Sequence, residues 1–203
     1  MMTPSIYFKD LESRVEFLRK NFLNFDDIES PQPENQDKLK SFKLLVHAEV
    51  ESYLENIVND MISINKKQWK KKKITPSLYY LILFSSAKFG GEKKIADLSV
   101  KKRIDNNIAS FEALISQNNG IKEKNLMKLF IPLGIDFQSL DQSWISTIDS
   151  YGSSRGDIAH KSYSVQVQLD KTSEGKNVTI ILEGIKELDI KVQKLRNLRK
   201  RPF

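Results

Sequence analysis

Between Asp37 and Lys66 the apolar residues Leu39, Phe42, Val46, Val50, Leu54, Ile57 and Met61 recur in steps of three and four. Side chains at that period share one face of an α-helix, whereas a strand sends successive side chains to opposite faces. The stretch is predicted to be a long core helix, and a stripe of that length needs other amphipathic elements to cover it.

The flanking segments supply them. Ile6, Leu11, Val15, Leu18 and Phe22 stand at helical spacing, predicting an additional N-terminal helix within residues 1–25. "DDIESPQPENQD" is acidic, polar and carries two prolines, and is expected to be a loop. After "WKKKKITPS", Thr75 is placed to cap a helix and Pro76 to open it. That helix, "PSLYYLILFSSAKF", has an apolar run too short to span a bilayer and is expected to be buried, with "GGEKK" closing it. Helical spacing resumes through Ile104, Ile108, Phe111 and Ile115. "NNGIKEKNLMKLFIPLGI" reads as a turn, a short helix and a second turn at Pro132 and Gly134, and Asp141 can cap a helix bearing Trp144, Ile145 and Ile148. Only near 164–183 does the pattern change: "SVQVQLD" and "NVTIILEG" alternate and are β-branched, which allows a short β-hairpin before "IKELDIKVQKLRNLRK" returns to helical spacing. With 203 residues, 39% of them hydrophobic, the economical expectation is one all-α domain over 1–203.

Several chemistries are excluded by residue type. Without cysteine there is no disulfide, thiolate zinc site, iron–sulfur cluster or thiol nucleophile. Neither common glycine-rich phosphate loop is present, no serine-hydrolase elbow occurs, and the two histidines, His47 and His160, are too far apart for a zinc motif. "MMTPSIYFKDLESRVEFLRKNF" offers no apolar run for a signal peptide or a membrane span, so the expectation is a soluble, cytoplasmic protein without a membrane partner. The net charge of +7 tilts the choice of partner toward polyanions such as nucleic acid.

What remains is "YGSSRGDIAHKSY", in which Arg155 is followed five positions later by His160. Taken alone, the two suit a helix-end arginine and a half-buried histidine as well as a reaction centre. Arg155, "GDIA" and His160 resemble the Arg-x4–6-His signature of the HEPN superfamily of nucleases. "HAEVESYLENIV" at 47–58 is similar to the Glu-bearing helix of these domains, and "NNGIKEKNLMKLFIPLGIDF" with "LDQSWISTIDSYGSSRGDIAH" is similar to the RiboL-PSP-type branch. The resemblance covers about residues 40–195. It implies a HEPN-like antiparallel helical bundle with additional helices. It also implies a metal-independent endoribonuclease that needs no cofactor, often a toxin or defence effector; the alternative is a catalytically inactive RNA-binding or protein-interaction module on the same scaffold. On the nuclease footing the chain pairs as a homodimer and answers to an antitoxin or another neutralising protein. Arg155 and His160 inherit the two main functional roles, while the position after the arginine, often polar in active members, is Gly156, with Asp157 next.

The residue chemistry is compatible with that implication. Metal-free RNA cleavage needs proton transfers, which suit an imidazole titrating near neutrality, and charge stabilisation at phosphorus, which suits a guanidinium fork. On a straight helix, five steps set two positions about 140° apart, so either "GSSRG" bends the chain or two subunits complete one site. Glu51, one turn from His47, is a candidate to orient the catalytic histidine or assist proton transfer, or else an ordinary partner of His47 or a lysine. His47 lies in line with Val50 and Leu54 and reads as a core histidine. Lys70, Lys71, Lys72 and Lys73, in "KKQWKKKK", are candidates to track RNA phosphates with Trp69 stacking on a base, or else a solvated helix end; "RNLRKRPF" is open to the same two readings.

Overall fold

The computed structural model describes residues 3–25, 33–88, 99–160, 167–198 and 201–202. Among them the chain forms α1 (Ile6–Phe22), α2 (Pro33–Lys70), β1 (Lys73–Ile74), α3 (Pro76–Lys88), α4 (Val100–Ser116), α5 (Glu123–Phe130), α6 (Gln142–His160), α7 (Lys171–Asn197) and β2 (Arg201–Pro202). The all-α expectation holds, with α2 as its axis: it touches each of the other described helices. The predicted stripe is the reason, since Phe42, Val46, Val50, Leu54 and Ile57 are fully enclosed. The helix starts earlier than the proline-rich sequence suggested, because Pro33 occupies its first position, where a missing N–H costs nothing.

Polar contacts fix the directions of the helices. Arg14 donates to Glu49 and Phe8 packs edge-on against Tyr53, so α1 runs antiparallel to α2. Gln36 with Leu169, Lys43 with Glu174 and Tyr53 with Asp189 advance together, so α7 runs alongside α2 in the same direction. Asp189 on α7 is wholly buried, and its carboxylate accepts from the Ser5 backbone N–H at 2.7 Å and from the Tyr53 hydroxyl at 3.0 Å. Ser5 in turn caps α1 through Phe8, which ties the N-terminal helix to the last one. Burial, and then the neighbouring Asp189 charge, push the Tyr53 phenol well above its ordinary range, so it stays a donor.

The predicted local signals for α3, α5 and α6 are borne out. Thr75 accepts from the Leu78 N–H at 3.1 Å, Asp141 accepts from the Ser143 N–H at 2.8 Å, and Gly134 ends the turn after α5 at a φ of 92°. Two expectations are corrected. The apolar run of α3 is buried on one side only: Leu78 and Leu81 are enclosed, while Tyr79, Tyr80 and Leu83 are exposed. The β-hairpin near 164–183 is replaced over 171–183 by the start of α7, and 161–166 lie outside the described residues. Val178, Ile181, Ile185, Leu188, Val192 and Leu195 are all buried at steps of three and four, and Asp170 caps the helix through Ser173. Packing of that stripe outweighs a local β-branched alternation. Gly184 lets α7 approach α6, since a Cβ there would collide with the Trp144 ring. The "GGEKK" segment also lies outside the described residues.

Candidate functional site

Tyr151, Arg155 and His160 share α6, which is helical without a break through 152–156, so the bend considered for "GSSRG" does not occur. With ideal helical geometry, backbone positions 155 and 160 are about 140° apart around the axis. The side chain of His160 lies outside the described atoms; its backbone is the last residue of α6.

The footing under Arg155 is built one turn earlier. The Tyr151 hydroxyl reaches the Lys43 carbonyl of α2 at 3.4 Å, and the Lys43 ammonium sits 4.7 Å above the Tyr151 ring. The same ammonium donates to Glu174 of α7 at 2.8 Å, with both side chains only 5% exposed. One buried cation thus joins α2, α6 and α7 at the turn preceding Arg155. Burial first, and then the Glu174 charge, raise the Tyr151 phenol well above its usual range, so this contact does not ionise near neutrality.

Arg155 is half-buried and lies within electrostatic reach of His47, which is 2% exposed on α2. Burial, and secondarily the Arg155 cation, lower the His47 pKa from 6.5 to about 4. His47 is therefore neutral at pH 7, and its 3.7 Å approach to Glu51 is a carboxylate beside a neutral ring, not an ion pair. Glu51 spends its other oxygen on the Gly120 N–H, while Glu55, one turn on, accepts from Asn118 at 3.1 Å. Gly120 has a φ of 115°, and the following residues lie tight against Gly152 of α6. Glu51 thus clamps the 118–122 turn between α2 and α6 while bordering the Arg155–His47 pair. A Cβ at Gly156, beside Arg155, would meet nothing within 4 Å among the described residues.

The structure therefore places His47 beside Glu51 and within electrostatic reach of Arg155, and leaves the lysines at 70–73 at the far end of α2, all four exposed. His47 is the member that its place on an apolar stripe concealed. A signal was present: Gln36, Lys40, Lys43 and His47 follow one another at steps of four, three and four, and all are buried. A polar row at helical spacing inside the longest helix marks a face that meets polar partners. Trp69 is half-buried against the core and donates its indole N–H to Asp105 at 2.9 Å, so it is not presented as a stacking platform.

The family model described as RiboL-PSP-HEPN matches residues 9–194. The chain belongs to the RiboL-PSP-HEPN family. The match begins inside α1 and runs almost to the end of α7, so it spans the whole bundle around the Arg155 footing. Neither a curated protein nor a solved structure matches the chain significantly. Membership in this HEPN family suggests an RNase-type or other RNA-related role. No helix among the described residues is long and apolar enough to cross a membrane.

The depressed His47 pKa has a consequence for stability. Between pH 6.5 and about 4 the unfolded chain binds a proton that the folded chain refuses. The associated stability is complete above pH 6.5 and is lost as pH falls toward 4. At pH 4.5 the loss amounts to about 2–3 kcal/mol. Urea unfolding at pH 7.5 and pH 4.5 should show the native chain losing that much more than His47→Gln; equal losses would mean the imidazole titrates freely.

Proposed function

We propose that this protein is a metal-independent endoribonuclease. The ribose 2′-oxygen attacks the adjacent phosphorus as it surrenders its proton, and the 5′-oxygen leaves as it gains one, so the strand is cut with no net uptake of protons. His160 serves the proton transfers. Arg155 presents its fork to the phosphoryl oxygens as negative charge builds there. His47, neutral and enclosed within electrostatic reach of Arg155, adds no charge that competes for the phosphate, and Glu51 keeps the 118–122 turn in register; both are positioning residues.

The observation that carries this reading is the family's Arg-x4-His signature on the final turns of an unbroken α6, footed on α2 through Tyr151. Since positions 155 and 160 diverge around that helix, a homodimer in which each cleft draws on both subunits accounts for the spacing. Cytoplasmic service as a toxin or defence effector, restrained by a neutralising protein, completes the proposal.

The test is the chemistry of the product ends. RNA incubated with the protein and EDTA should yield 2′,3′-cyclic phosphate and 5′-hydroxyl termini, and DNA, which lacks the nucleophile, should stay intact. Products with 5′-phosphates, or binding without cleavage, would overturn the mechanism.

A further inference from the structure

Three segments remote in sequence meet at the end of α2. Helix α2 closes at Lys70, and the turn that follows is held by Lys71 and Lys72 N–H groups donating to Gln68 and Trp69 carbonyls, with Lys72 at a φ of 55°. Lys73 then begins β1, which pairs antiparallel with β2 and brings position 201, an arginine, beside Ile74. The first turn of α4 arrives from the third direction. Asp105 accepts from Trp69 of α2 at 2.9 Å and from Lys101 at 2.7 Å, which pins the exposed Lys101 and Lys102 alongside.

The lysine run therefore does not end in solvent as a frayed helix terminus. It is bent into a turn, continued into β1, which pairs with β2 of the C-terminal segment, and flanked by a second basic helix start. The aromatic ring at its centre is turned inward, so the run itself presents four exposed lysines and no stacking ring. Such a surface suits a phosphate backbone read without regard to sequence better than a bilayer, into which apolar side chains would have to insert. It also stands apart from Arg155: the 23 residues of α2 between His47 and Lys70 rise about 35 Å.

We infer that this end of the molecule is a second, composite RNA-binding surface that holds the backbone of a strand whose other part lies at the Arg155 site. At roughly 3.4 Å per stacked nucleotide, a strand of about ten nucleotides reaches both places. RNAs much shorter than that occupy one or the other. The inference rests on the RNA-handling reading of the protein and adds a length requirement to it.

The experiment uses 2′-O-methyl RNA, whose blocked nucleophile separates binding from cleavage. Binding of 4- and 20-nucleotide RNAs by the full chain is followed by fluorescence anisotropy over a salt series. The Lys70→Gln, Lys71→Gln, Lys72→Gln, Lys73→Gln variant should bind the long RNA at least tenfold more weakly at low salt. Its log–log salt slope should fall by about 2 to 3, at roughly 0.7 for each phosphate no longer neutralised. A Lys101→Gln, Lys102→Gln variant should lower the slope as well, and four lysine-to-arginine exchanges at 70–73 should preserve it. The extra affinity of the long RNA over the short one should vanish in the glutamine variants. Unchanged slopes, an equal loss for both lengths, or binding to phosphatidylserine vesicles stronger than to RNA would each overturn the inference. A chain that binds in this way yet never cuts unmodified RNA refutes the nuclease reading alone.

Discussion

Arg155→Ala and His160→Ala should each reduce RNA cleavage by at least about 100-fold, the scale of losing one charge-stabilising donor or one proton-transfer group. Arg155→Lys should recover little, because an ammonium cannot present a planar fork to two phosphate oxygens. Both alanine variants should keep their helix content, since a residue placed for reactivity is usually not one that holds the core. Arg155→Ala carries a second readout. Removing that cation takes away one of the two causes that depress His47, so the acid loss of stability should shift to a narrower pH interval while burial still holds the pKa below 6.5. A variant that loses cleavage without moving the His47 titration would separate Arg155 from its α2 neighbour.

Mixing the two inactive variants tests the sharing of a cleft. If each cleft takes Arg155 from one subunit and His160 from the other, a heterodimer of the two variants keeps one complete cleft. Random pairing then returns about a quarter of the native activity. If both residues of a cleft come from one chain, no heterodimer contains a complete pair and the mixture stays inactive. Full cleavage by His160→Ala alone would assign the pair to structure.

The parts of this fold that are legible in the sequence depend on neighbours close along the chain. The α2 stripe, the Thr75 and Asp141 caps and the left-handed Gly134 are each settled within a few residues, so periodicity and capping chemistry suffice. The start of α7 is illegible for the opposite reason. "NVTIILEG" alternates locally, but the surface that decides its conformation is α2 and α6, reached only through the folded chain. The same holds for the exposed side of α3, whose composition gives no indication of which face meets the bundle. At the candidate site, Arg155 and His160 stand out because the signature is contiguous. His47 does not, because its relation to Arg155 crosses from α2 to α6. Trp69 reads as a stacking ring because its partner, Asp105, is 36 residues away.

The least legible feature is also the one with the largest expected cost. Lys43 and Glu174 are 131 residues apart in sequence, meet at 2.8 Å, and are 5% exposed each. A lysine on α2 would ordinarily be placed on its solvent face, and the polar row to which Lys43 belongs does not point to a partner 131 residues away. Glu174→Ala takes the carboxylate from the buried Lys43 ammonium and leaves it over the Tyr151 ring, which should cost about 3–5 kcal/mol. For a domain of this size that lowers the melting temperature by roughly 6–20 °C. Removing both charges is a different matter, because desolvating two ions offsets most of what their attraction returns. Lys43→Met with Glu174→Leu should therefore recover most of the lost stability, and the Glu174 Oε2 atom, buried without a partner, tilts the comparison further toward the apolar pair. Stability and cleavage should then part company. The apolar pair restores packing, but Tyr151 no longer has a cation above its ring, and Arg155 stands one turn further along the same helix. The double variant should melt near the native temperature and cleave RNA more slowly at saturation, with little change in KM for short RNA. A double variant as unstable as Glu174→Ala would mean that the ion pair is needed for the fold itself, and one with native turnover would mean that the footing under Arg155 does not depend on Lys43.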